Sequence, residues 1–203
     1  MKLIKQLFVV LALLCFSQAQ AGQFGTLNNP QPTHSGNKIE VLEFFFYGCS
    51  HCYHLHPELS AWEKKKPHDV ELEFVPTVFN PGWQSMAYTY YALEAMGQQK
   101  QLHDALYKAW NVDNIDLSDE AAVTAFVSKH GVDGKAFGDN YRSFSVQSKV
   151  MRAQQMMQAF SIRGTPTLIV DGKYVITGLQ PDDMIATLNA AIEAARKDRK
   201  GRR

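Results

Sequence analysis

Cysteine is scarce in this chain, with three in 203 residues, which excludes a disulfide-framed fold. A long apolar run is also missing. The longest, Leu7 to Phe16, is about ten residues, half of what a bilayer-spanning helix needs. Charge of one sign is not in excess either. Twenty-one Lys and Arg stand against 20 Asp and Glu, a net charge of +1, which argues against nucleic acid as a partner. There is no internal repeat and no low-complexity stretch before the C-terminal tail.

What is there begins with an address. Lys2 and Lys5 precede the apolar run, and Ala19-Gln20-Ala21 follows it as a small-residue cleavage site, so residues 1–21 read as a secretory signal peptide. An N-terminal membrane anchor is the alternative. Leu14 stands before Cys15 where a lipoprotein signal wants a small residue, so Cys15 leaves with the signal. The remaining 182 residues carry a net charge near −1 and suffice for one good core, or for a small fold with a large insertion. They keep only Cys49 and Cys52, in a compartment where disulfides persist. A staple between cysteines three apart closes almost no loop and stabilises little. A reactive role explains the pair better.

Residues 22–37, rich in Gly, Asn, Pro, Thr and Ser, read as an extended or mobile leader. Ile39 to Tyr47 is an aromatic and β-branched run suited to a strand buried on both faces, with Glu43 as its misfit. Ser50 to about Lys65 turns helical around Leu55, Leu59 and Trp62, with Pro57 inside. Val70 to Val78 reads as a second strand. Gln84–Met96, Leu102–Trp110, Ser118–His130 and Ala136–Phe160 read as helices, separated by Gly97, Gly131 and Gly134. Thr167–Val170, the turn Asp171-Gly172 and Lys173–Thr177 make a hairpin, and Pro181–Arg196 a closing helix. The order is a βαβ unit and a ββα unit separated by helices, with a mixed sheet. The tail Arg196 to Arg203 holds six basic residues and one acid and reads as a frayed, solvated terminus.

The chemistry centres on Cys49-Ser50-His51-Cys52. Positions three apart on a helix lie on one face within disulfide reach. At a helix N-terminus the free N–H groups and the dipole favour the Cys49 thiolate, while Cys52, one turn inward, keeps its proton. His51 is placed to add charge or a donor near the Cys49 sulfur. Such settings bring a thiol pKa to ~3.5–7.5 from about 8.5, and stabilising the reduced thiolate makes the disulfide the stronger oxidant. The rival reading is metal binding, since His51, His54 and His56 crowd the cysteines. It lacks the second ligand pair of a four-ligand zinc site, so no metal is expected, and His54 and His56 are expected at the surface. Met151, Met156 and Met157 read as core filler. Glu43 is either a functional buried acid or a partly exposed edge-strand residue.

FFFYGCSHCYHLHPEL, followed far downstream by RGTPTLIVDGKY, resembles bacterial DsbA-type oxidoreductases of the thioredoxin superfamily over most of residues 38–197. The resemblance implies an α/β thioredoxin fold, a central mixed β-sheet flanked by helices, with an inserted all-α helical domain. The thioredoxin-like domain is then 22–81 with 161–197, the insertion 82–160, and 198–203 a basic tail. It implies that Pro166 is cis and packs against the dithiol, that Thr165 pairs with substrate beside Ser50, and that Glu43 moves protons for Cys52. Some members carry a lysine beside that acid; the matching position here is Phe74. Ser50 stands where the best-known members have proline. The implied activity is donation of the Cys49–Cys52 disulfide to folding secreted proteins, through a mixed disulfide on Cys49. Reoxidation would come from a DsbB-like, quinone-linked membrane protein. The expected setting is the periplasm of a Gram-negative bacterium, as a monomer with no cofactor. A reductase or isomerase of the same fold, and a non-redox metal- or peptide-binding module, are the alternatives.

Overall fold

The computed structural model describes residues 24–201. The expected signal peptide, with Cys15, lies outside the described residues, as do Arg202 and Arg203. In chain order the elements are β1 (Gly25–Thr26), β2 (Ile39–Phe45), α1 (Ser50–Glu63), β3 (Val70–Pro76), a 3-10 turn (Pro81–Trp83), α2 (Gln84–Ala95), α3 (Gln99–Asn111), α4 (Glu120–Lys129), α5 (Gly134–Tyr141), α6 (Phe144–Ala159), β4 (Thr167–Val170), β5 (Tyr174–Thr177) and α7 (Pro181–Gly201).

The sheet runs β1-β5-β4-β2-β3. β2 lies parallel to β3 and antiparallel to β4, so it is an interior strand, buried at every position. Helices cover both faces, which is why its run is continuously apolar rather than alternating. Ile39 and Val41 pack with α1 and α7, through Leu55, Leu59, Leu188 and Ile192. Leu42 and Phe44 point the other way, and Phe44 meets Phe160, just past the end of α6, at a ring distance of 5.7 Å. The hairpin turns as its sequence demands: Asp171 and Gly172 take φ of +53° and +65°, and the Lys173 N–H closes onto the Val170 carbonyl at 3.0 Å.

Of the two readings of the leader the extended one holds for its described residues: Gly25–Thr26 adds a fifth strand against β5, and the Gln31 N–H donates to the Gly172 carbonyl at 2.8 Å. A Cβ at Gly172 would meet the Gln31 oxygen at 2.0 Å, so glycine serves both the turn and the docking. Two other expectations are corrected. The tail is helix through Gly201, not frayed. Arg199 forks onto Asp171 and donates to the Asn37 carbonyl at 2.8 Å, and Arg196 holds Asp69. The helix expected from Ala136 to Phe160 is two helices. Ser143 adopts extended backbone and its hydroxyl caps α6 by accepting from the Val146 N–H at 3.2 Å, which breaks the run there.

Candidate active site

β2 delivers the chain to the dithiol. Phe46, Tyr47 and Gly48 carry it from the sheet to α1, and Cys49 is the N-cap residue of α1, with extended backbone and no side-chain cap of its own. Aromatic rings hold this passage. Phe46 stacks on Trp83 at 3.8 Å and meets Trp110 edge-on at 5.4 Å. A Cβ on Gly48 would lie 2.6 Å from the Trp110 ring nitrogen, so only glycine lets Trp110 close over the loop. The Asn111 side-chain amide donates to the Tyr47 carbonyl at 2.7 Å, tying α3 to the residue two before Cys49.

The two sulfurs sit in contrasting places. Cys49 is partly exposed and Cys52 is fully buried. The Cys49 pKa falls from 9.0 to about 5. The hydrogen bond from the Cys52 thiol is the largest cause; partial burial opposes it, and the Thr165 side chain and the backbone N–H groups of Cys52 and His51 assist. Cys52 moves the opposite way, well above 9.0, through burial first, then its bond to Cys49 and the charges of Glu43 and Cys49. Ser50 and His51 are exposed, and His51 acts on Cys49 through its backbone N–H. An ultraviolet thiolate titration of the reduced protein is therefore expected to show a midpoint near pH 5, and substitution of His51 by alanine, which keeps the backbone donor, to shift it only modestly.

The Thr165–Pro166 peptide is cis, and the Cys49 thiol donates to the Thr165 carbonyl at 3.3 Å across 116 positions of chain. Glu43 is 1 % exposed on an interior strand, not an edge. Phe74 stands beside it in register on β3 and Leu168 on β4. Neither carboxyl oxygen has a partner among the described residues. Burial, then the Cys49 charge, raises its pKa to about 8.

His56 corrects another expectation. It is buried, with Nε2 2.6 Å from Asp104, while His54 is exposed. Met157 is core and Met156 half-buried, but Met151 is 52 % exposed and fills nothing. Sequence reasoning passed over Tyr47, His103 and Tyr107, which cluster behind the dithiol. Their signal was present: Gln99, His103, Tyr107 and Asn111 form an i, i+4 polar stripe on one helix.

Residues 40–189 match the model of the DSBA-like thioredoxin domain family. The chain belongs to that family. A thiol:disulfide interchange protein DsbA of Bordetella parapertussis is 39 % identical over 160 residues, 78 % of this chain and 76 % of the relative. One from Azotobacter vinelandii is 37 % identical, over 75 % of this chain and 71 % of its own. The crystal structure of Pseudomonas aeruginosa DsbA superposes with a TM-score of 0.83 at 30 % identity, covering 87 % of this chain and 94 % of that one. This DsbA-like chain is thus a thiol:disulfide oxidoreductase with a thioredoxin fold.

Proposed function

We propose that this DsbA-like protein is exported to the periplasm of a Gram-negative bacterium, by cleavage after Ala21, and there oxidises folding secreted proteins. The observation that carries the direction is the opposed acidity of the two sulfurs, about 5 for Cys49 and well above 9.0 for Cys52. A stabilised Cys49 thiolate favours the reduced form and makes the disulfide a strong oxidant.

A substrate thiolate attacks Cys49 Sγ; the Cys49–Cys52 bond breaks and its electron pair goes to Cys52. Cys52 then takes a proton, for which the neutral carboxyl of Glu43 is the nearby source. A second substrate thiolate attacks the substrate sulfur of the mixed disulfide, and Cys49 leaves as thiolate. The Thr165 backbone, held beside Cys49 by Pro166, pairs with the substrate chain. Next to it a cleft of about 590 Å³, with Phe79, Met157 and Ile162 in its wall, suits apolar side chains of an unfolded partner. Reoxidation passes two electrons to a DsbB-like, quinone-linked membrane protein. The thioredoxin-like part spans 22–81 and 161–197, and 82–160 is the insertion that walls the site.

The test is to mix the oxidised mature protein with a reduced, unfolded two-cysteine substrate. One substrate disulfide per protein is expected, and none with Cys49→Ser. Equal slow oxidation by both would overturn the reading.

A further inference from the structure

Behind the dithiol, unpartnered polar groups converge. Glu43 and Phe45 share one face of β2 by strand alternation, and Tyr47 follows in the turn just beyond the strand. Against them α3 presents Gln99, His103 and Tyr107. The Tyr47 hydroxyl lies 2.7 Å and the Gln99 amide nitrogen 2.8 Å from His103 Nδ1. An amide nitrogen only donates, so Nδ1 accepts and the ring proton sits on Nε2. That Nε2, the Tyr107 hydroxyl and both Glu43 oxygens are buried with no partner among the described residues. Native proteins satisfy nearly all such groups, with internal water where side chains do not serve.

The cluster also reaches outward. The His103 and Tyr107 rings lie 4.6 and 5.1 Å from that of His56. His103, His56 and Asp104 line an open cleft of about 420 Å³ on the flank of α1. Phe74, the strand neighbour of Glu43, also lines it and cannot carry a proton. The way around Phe74 runs past His103, whose ring is 5.3 Å away.

We propose that His103 and Tyr107 relay protons between Glu43 and the solvent of the cleft beside His56 and Asp104. This rests on Glu43 exchanging a proton with Cys52. When Cys52 is protonated, Glu43 becomes a carboxylate and must be refilled. His103 gives its Nε2 proton to water bridging Tyr107 and Glu43 and takes one at Nδ1 from cleft water as the cleft-lining Gln99 amide turns over, leaving the Gln99 oxygen and the Tyr47 hydroxyl to accept from the new Nδ1–H. Reoxidation runs the steps backwards and restores the tautomer. Burial holds His103 far below its ordinary pKa, so it works as a neutral imidazole.

The experiment prepares the glutathione mixed disulfide on Cys49 at acid pH, jumps it to neutral pH, and times glutathione release as Cys52 loses its proton and attacks. His103→Ala is expected to slow release at least about tenfold. Imidazole in the buffer should restore the rate, and 1-methylimidazole, of similar shape and basicity but with one ring nitrogen blocked, should not. Equal rescue by both would mean a packing role and overturn the relay, as would a wild-type rate. Should His103→Ala not fold, Tyr107→Phe decides, since it removes only an unpartnered hydroxyl. Slowing supports the relay and an unchanged rate overturns it. If no mixed disulfide forms on Cys49, the proposed function fails instead.

Discussion

Cys52→Ala is expected to turn the protein from a catalyst into a trap. Substrate disulfides or activated thiols still react at Cys49, which is partly exposed and carries the low pKa of about 5. The resolving sulfur is gone, so the adduct persists, and turnover falls to background while reducible complexes accumulate. Mass spectrometry after acid quench would place the adduct on Cys49. Cys52 also supplies the largest contribution to the Cys49 thiolate, so the variant's Cys49 should titrate higher than in the wild type. Recovery of adducts on Cys52 in a Cys49→Ala protein, and of none on Cys49 in Cys52→Ala, would reverse the two roles.

Glu43→Gln is expected to stabilise the oxidised protein at neutral and alkaline pH. In the folded chain the carboxyl titrates at about 8 against 4.5 as the reference value. Between those values the folded state binds the extra proton, so stability falls as pH rises. The cost reaches about 3 kcal/mol by pH 7 and stops growing above pH 8. In the disulfide form the Cys49 charge is absent, but burial, the larger cause, remains. Three kcal/mol is a large part of the roughly 5–15 that hold a domain folded. Urea unfolding of both proteins from pH 4 to 9 should show curves that converge at the acid end, separate by about 3 kcal/mol at pH 7 and widen to about 5 by pH 9. Parallel curves would mean that Glu43 ionises freely.

The pieces legible in the sequence are those whose signal is local. The run of β2, the Asp171-Gly172 turn and the CxxC at a helix start each declare themselves within a dozen residues, and the Glu43 anomaly was visible inside its strand. The CxxC together with Thr165-Pro166 also indicated the family. What stayed hidden depends on contacts far apart in sequence. β1 is two residues long and exists because β5 offers an edge. The basic tail is ordered by Asp171 and Asp69, which no periodicity in the tail announces. His56 is buried because Asp104, 48 positions away, meets it. Tyr47 and His103 meet across 56 positions, so the polar cluster behind the dithiol becomes visible only when α3 is laid against β2.

The most direct measurement equilibrates the Cys49–Cys52 pair with glutathione buffers and reads the oxidised fraction. A midpoint toward about −120 mV, the oxidising end of the thioredoxin superfamily, is expected from the low pKa of Cys49. A midpoint near about −270 mV, where reductants of that superfamily work, would contradict it.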